Sequence, residues 1–347
     1  MVIKFLLLAV VLFAVASCAQ PVAIKINFFE PAKYHEASKL REIAVLPFDG
    51  TDGAGFAAEI EGLISSVNIG EKQYFTLVDR MKLDRIISEM KFSQSALVDP
   101  ANAANLGKMV GAKGIYTGVV TASNASDNLY TEDRTRCAQH EIKYDKKGRP
   151  YEGKCLRYER YKVKCIERIA IFSFVPKLIE VETGRVVYAN TISQTARASA
   201  CEDSMKPLPS AVELIAKAKQ STKEIFRRDI TPHYVTLEVK LMNAKDGITS
   251  NQAEEKLKQG IDFAKVNRMD RACELWADAR ILSPNAPSIL YNLGICAEVA
   301  GDLQQAYDLY RKADRLLSKP DDNINMAISR VLETMHKQKK LKEQLGQ

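Results

Sequence analysis

The sequence predicts an α/β body with a mixed sheet, followed by an all-α helical repeat domain. Three observations carry this. Short β-branched runs alternate with amphipathic helical segments between residues 41 and 120, and two hairpin-like pairs of strands follow. Four pairs of matching residues then stand 34 positions apart between residues 251 and 347. A length of 347 residues exceeds what one core normally organises. A chain with 46% hydrophobic and 27% charged residues is globular in composition, neither disordered nor fibrous.

The start reads as a targeting segment. Lys4 precedes an apolar run from Phe5 to Val15, which is too short to span a bilayer and has the length of a signal-peptide core. Val15-Ala16-Ser17-Cys18 fits a bacterial lipobox, which predicts a signal peptide over 1–17 and lipidation of Cys18. Ala19 follows, rather than the Asp that retains many such proteins in the inner membrane, so the expected address is the periplasmic face of the outer membrane. Residues 18–40 read as a lipidated tether able to reach ~70 Å when extended. Removing Cys18 from the seven cysteines leaves six, an even number for an oxidising compartment.

The α/β domain is expected over 41–242. Arg41 to Phe48 reads as a strand, Phe56, Ile60, Leu63, Ile64 and Val67 as one helix face ended by Gly70, and Tyr74 to Val78 as a second strand. Asp79 and Asp99 stand where helix N-caps belong, Asp99 with Pro100 at the first helical position. Leu83, Ile86, Ile87 and Met90 share one helical face. Gly111 stops the next helix before a strand from Gly114 to Val120. Ile169–Val181 and Val186–Ile192 form a hairpin centred on Thr183. Pro209-Ser210 opens a helix, and His233–Met242 alternates as a final strand.

Leu77-Val78-Asp79-Arg80, Leu83-Asp84-Arg85-Ile86-Ile87, Ser93 to Asp99, Leu106 to Lys113 and Thr117-Gly118 closely resemble the curli production assembly/transport component family. Ala44 to Phe48 and Glu182 to Val187 also fit. These are outer-membrane lipoproteins whose founding member is the curli secretion channel. The resemblance covers roughly residues 25–242 and implies an α/β fold with a mixed sheet.

Residues 124–166 interrupt this body with a polar, basic insertion. The net charge is +7, and Arg134 to Arg168 holds twelve Lys/Arg against five Asp/Glu, so this stretch carries the whole excess. Asp145 to Pro150 reads as a turn between two strand-like arms. Cys137 and Cys155 mirror each other about this turn, and Cys165 and Cys201 mirror each other about Thr183, which predicts disulfides Cys137–Cys155 and Cys165–Cys201. A four-cysteine zinc site would lack any Cys-x-x-Cys knuckle. In the resembled family, membrane-spanning hairpins are inserted at this place and after the strand at 186–192. Here Glu141, Lys143, Asp145, Arg157, Glu159, Lys162 and Lys164 leave no lipid-compatible face, and Ser193–Pro209 is too short. Arg149, Arg157, Arg160, Lys162 and Lys164, interleaved with tyrosines, point to an anionic ligand such as an envelope polymer or lipid headgroup, or to a solvated stapled hairpin with none. No nucleic acid is expected in the periplasm.

Residues 243–250 read as a linker. Beyond it, Gly260/Gly294, Ala272/Ala306, Trp276/Tyr310 and Ala279/Ala313 are the pairs 34 residues apart, and they resemble tetratricopeptide repeats, with a capping helix over 323–344. Such repeats bind peptides on the concave face of their first helices, here Leu257, Ile261, Tyr291, Ile295 and Glu298. Cys273 and Cys296 lie on adjacent helices within reach of a third disulfide. Two repeats and a cap are few, so contact with the first domain or with a second copy of the chain is expected.

Four scattered histidines and the lack of a nucleophile–base pair, phosphate loop or metal-spaced cluster point away from an enzyme, a cofactor and a metal. The expected function is that of a periplasmic adaptor or assembly factor in surface-fibre secretion or envelope assembly, with protein partners. A regulator of peptidoglycan synthases and an oligomeric secretion pore are the alternatives.

Overall fold

The structure is a computed structural model that describes residues 22–90 and 99–346. The signal peptide, Cys18 and the resembling motif Ser93 to Val98 lie outside the described residues. The chain divides into two compact units, residues 31–233 with 340–347, and residues 1–30 with 234–339.

The first described element, β1 (Ala23–Glu30), belongs to the second unit. Residues 18–40 therefore do not form a tether along their length: β1 and helix α1 (His35–Lys39) occupy most of it. Ile24, Ile26 and Phe28 alternate and are buried, the pattern of a strand with one covered face.

In the α/β unit, β2 (Glu42–Val45), β3 (Asp49–Gly50), helix α2 (Gly53–Ser65), the small hairpin β4 (Asn68–Ile69) and β5 (Lys72–Gln73), and β6 (Thr76–Leu77) follow in order. Gly70 sits in that hairpin and not at the end of α2, which stops at Ser65. Asp79 caps α3 (Arg80–Met90) by accepting from the Met81 amide at 2.8 Å. Asp99 caps α4 (Pro100–Val110) by accepting from the Ala101 and Asn102 amides at 3.1 Å. Gly111, at φ +81°, ends α4 in the left-handed conformation that a side chain disfavours.

Two 31-residue strands, β7 (Gly114–Tyr144) and β8 (Pro150–Glu180), dominate the sheet. After them come β9 (Val186–Ala189), β10 (Ile192–Cys201) and helix α5 (Ala211–Ile230), opened by a Ser210/Glu213 capping box. The seven-stranded sheet runs β10-β8-β7-β2-β6, with β3 on β7 and β9 on β8. It is mixed, because β7, β2 and β6 are parallel while β8 is antiparallel to β7. Alternation sends Ile43, Val45, Tyr116 and Leu178 to one face with α2 and α5, around Phe48, Phe56, Phe172, Phe174 and Phe226. Ala44, Leu46, Ile115 and Ile179 go to the other face, with Leu83 of α3 and Leu106 and Val110 of α4. Gln344 is fully buried in this unit; it accepts from the Ala32 amide at 2.8 Å, and its backbone carbonyl accepts from the Arg41 guanidinium.

The sequence assigned the final strand, β11 (His233–Lys240), to the α/β domain; its partner is β1, in a separate two-stranded sheet of the other unit. That unit continues with helices α6 (Asn251–Lys265), α7 (Met269–Leu282), α8 (Pro287–Val299), α9 (Leu303–Leu316) and α10 (Asp322–Leu345), of which residues 340–345 count with the α/β unit. The boundary between units therefore falls at residue 233/234 and not at 243–250. A β-carbon on Gly260 would lie 2.3 Å from the Trp276 indole, and one on Gly294 would lie 2.4 Å from the Tyr310 ring. The same close approach thus recurs at both helix pairs. Leu257 and Ala272, Ile295 and Ala306, and Ile324, Ala327 and Val331 of α10 share one core.

Candidate functional site

Two places carry the sequence-predicted binding residues, and the structure treats them differently. The first is the face of α6 and α8. Leu257, Ile261, Tyr291, Ile295 and Glu298 are all buried, at 0–5% exposure, so they are not a surface open to a peptide. Ile24, Ile26 and Phe28 of β1, Val239 of β11 and the following Leu241 share one core with Leu257, Ile261, Tyr291 and Ile295, while Glu298 is closed off by Tyr310 and Arg330. Polar groups fix this seat. The Tyr291 hydroxyl donates to the Lys240 carbonyl at 3.1 Å. The Asn292 side chain brackets Met242, accepting from its amide at 3.0 Å and donating to its carbonyl at 2.9 Å. Asn292 is fully buried and the sequence reading passed over it; a buried Asn in an apolar helix face was the available signal.

Glu298 faces inward. Its carboxylate accepts from Arg330 of α10 at 2.9 and 2.6 Å and from the Tyr310 hydroxyl. Burial, and then the neighbouring carboxylate, hold the Tyr310 hydroxyl protonated far above the ordinary range. Burial also pushes Tyr291 up to about 12. Cys273 and Cys296 are joined, with Cα atoms 5.9 Å apart, and tie α7 to α8. Their disulfide lines an open trough of about 870 Å³ between α7, α8 and α9.

The second place is the basic insertion. It is one antiparallel ladder continuous with the sheet, running from Gly114↔Glu180 to Tyr144↔Pro150. Strand β10 flanks β8 from Phe174 to Cys165, and beyond that point the ladder is a two-stranded ribbon. Cys201 lies directly opposite Cys165, so their disulfide closes the third strand at its last pair. Cys137 and Cys155 are not directly opposite: Cys137 faces Tyr158 and Cys155 faces His140. Register shifts between Cys137 and Ile142 bring their Cα atoms to 5.7 Å, and they too are joined. From Tyr130 to Tyr144 the ribbon reaches roughly 45 Å, at ~3.3 Å per residue.

Cross-strand pairs use part of the charge. Arg168 grips Asp127 with two bonds of 2.7 Å, Arg136 pairs with Glu159, and Arg149 pairs with Asp145 at the turn. Arg149 is thus committed to shaping the turn, and its neighbours hold Asp145 below the usual carboxylate range through the Arg149 and Lys147 amides. Arg157, Arg160, Lys162 and Lys164 are exposed and have no ion pair among the described residues, as do Lys146, Lys147 and Lys154. A cavity of about 650 Å³ opens beside the Cys165–Cys201 disulfide, lined by Leu129, Ile166 and Leu208. Glu132 with Cys165 and Cys201 is the one cluster of potential ligand atoms among the described residues, and both its sulfurs are in the disulfide.

A third feature escaped the sequence reading. Asp229, 2% exposed at the end of α5, accepts from Tyr188 at 2.9 Å and Asn190 at 2.7 Å, with the Lys33 ammonium at 3.9 Å. Tyr116 lies nearby with its buried hydroxyl unbonded, and burial raises its pKa well above the ordinary value. Only the fold brings these groups together.

Residues 67–127 match the sequence profile of the curli production assembly/transport component CsgG family. No curated protein sequence matches the chain. Among solved structures, lipoprotein GNA1162 from Neisseria meningitidis is similar at 10% identity and TM-score 0.29, covering 54% of this chain and 97% of that one. The C-terminal domain of LpoB from Salmonella enterica is similar at 13% identity and TM-score 0.25, covering 44% and 81%. The PelC dodecamer from Paraburkholderia phytofirmans is similar at 13% identity and TM-score 0.22, covering 60% and 99%.

Proposed function

We propose that this chain is an outer-membrane lipoprotein, anchored through Cys18, that acts without catalysis as a periplasmic adaptor in surface-fibre secretion or envelope assembly. The observation that carries the reading is the match of residues 67–127 to a secretion-component family, over the segment β6–α3–α4–β7 that builds one side of the sheet. The matched segment ends at Asp127, three residues before the last β10-flanked pair, Tyr130↔Cys165, beyond which β7 continues as the ribbon. The ribbon's two faces both carry charge, which favours an adaptor over a pore wall, since a spanning strand needs one continuous apolar face.

The helical unit is read as tetratricopeptide-like, with its concave face occupied by β1 and β11, so a protein partner would meet its outer surfaces. The outer edges of β10 and of β7 past Val120 have no strand partner among the described residues, which favours a homo-oligomer. The test is deletion of the gene in its own host, with export of surface fibres and cell-wall synthesis measured side by side. Loss of surface fibres with normal wall synthesis is expected. Unchanged export with altered wall synthesis would favour the synthase regulator instead.

A further inference from the structure

The ribbon tip combines two features that a solvated hairpin does not need together. Ile142, Tyr144, Tyr151, Leu156 and Tyr158 are 52–68% exposed, all at the distal end of the ladder. Around them Lys146, Lys147, Lys154 and Arg157 are exposed and without ion pairs among the described residues. Cys137–Cys155 and the Arg149–Asp145 turn hold this end as a defined structure. We propose that the tip docks on the surface of an anionic bilayer, its tyrosines and aliphatic side chains entering the headgroup layer and its lysines and Arg157 meeting lipid phosphates.

The aliphatic residues decide the class of ligand. A hydrophilic polyanion would use the cations and the tyrosine rings, but it offers nothing for Ile142 and Leu156, whereas the headgroup–acyl boundary takes both. Tyrosine is enriched at that depth because its ring is apolar and its hydroxyl polar. Charge on both faces of each arm limits the contact to the surface, with no span. The inference uses the ribbon alone and is independent of the adaptor reading.

The test uses the full mature chain with Cys18→Ser, so that no acyl chain can carry it to a membrane. Binding to phosphatidylglycerol-containing vesicles is measured by co-sedimentation against pure phosphatidylcholine vesicles. Leu156→Trp serves as an insertion probe beside the buried Trp276, the one tryptophan of the sequence. The expected result is binding to the anionic vesicles only, weakened by salt, with a blue shift in the emission of the introduced indole. Each lysine near an anionic surface contributes about fivefold in binding, so Lys146→Glu/Lys147→Glu/Lys154→Glu lowers affinity about a hundredfold or more. Tyr144→Ser/Leu156→Ser abolishes the contact that survives moderate salt. No binding to anionic vesicles overturns the proposal. So does binding without a blue shift that dextran sulfate displaces completely, which would assign the tip to a soluble polyanion. Because the tip residues lie outside every core cluster, unchanged circular dichroism and intact disulfides exclude misfolding as the cause.

Discussion

Gly260→Ala places a methyl group where the indole of Trp276 now sits. The added carbon would lie 2.3 Å from Nε1, 2.7 Å from Cδ1 and 2.8 Å from Cε2, all far inside van der Waals contact. Trp276 is fully buried and its Nε1 donates to the Leu257 carbonyl at 3.2 Å, so moving the ring sacrifices that bond as well. Overpacking of this kind costs ~1–3 kcal/mol, and replacing a helical glycine with alanine returns at most ~1 kcal/mol. The net expectation is a loss of about 1–2 kcal/mol. Gly294→Ala meets the Tyr310 ring at 2.4 Å and should behave alike. Gly62→Ala in α2 is the control, because it is exposed with nothing within 4 Å, and it should gain up to ~1 kcal/mol from helix propensity alone. Urea unfolding followed by Trp276 fluorescence reports the helical unit selectively, because the sequence contains no other tryptophan. Far-UV circular dichroism reports both units. If Gly260→Ala is neutral or stabilising, as Gly62→Ala should be, the glycine–aromatic seating is wrong and the helix pairing built on it fails.

Arg330→Met strands the Glu298 carboxylate, whose side chain is 0% exposed, and should cost ~3–5 kcal/mol in the same assay; Arg330→Met/Glu298→Leu should recover much of it. Replacing Cys165 and Cys201 with serine opens a 36-residue separation and should lower stability by about 4 kcal/mol in the chain-entropy view. Cys137→Ser/Cys155→Ser should leave the global transition in place and raise hydrogen exchange only in residues 138–154, because the ribbon end packs on no core. Lys245 and Lys258, through their hydrogen bonds, pull Glu254 down to about 2 from an ordinary 4.5. Its folded pKa is the lower one, so this stabilisation is full above pH 4.5 and is lost as pH falls towards 2. Acid titration of Glu254→Gln should show a shallower loss over that window, and an unchanged slope would remove Glu254 from the account.

Most of the α/β unit was legible from local signals. The caps at Asp79 and Asp99, the stop at Gly111 and the opening at Ser210 each follow from backbone chemistry within a few residues. The pairing of Cys165 with Cys201 was legible because mirror symmetry about a turn survives when a ladder is regular, as it is from Phe174 to Cys165. Around Cys137 the ladder is irregular, and mirror counting reached the right residues through a register it did not describe. What stayed hidden was partnership. The alternation of His233–Met242 announces a strand and says nothing of which strand it joins, and Ile24-Lys25-Ile26-Asn27-Phe28 was too short and too close to the apolar start of the sequence to stand out. Missing that pair turned a filled groove into an open one. Leu257, Ile261, Tyr291, Ile295 and Glu298 have the spacing of a binding face, but burial by a distant segment is not written in their own helices.

The seat of β1 in the helical unit changes the length of the leash. An anchor at Cys18 would be followed by only a few residues before Val22, whose carbonyl already accepts from Leu241. Four residues reach at most about 15 Å. Such an anchor would hold the helical unit close against the leaflet, where a free segment to residue 40 would have let it drift. Any pull on the anchor would load the β1–β11 pair before any other part of the fold.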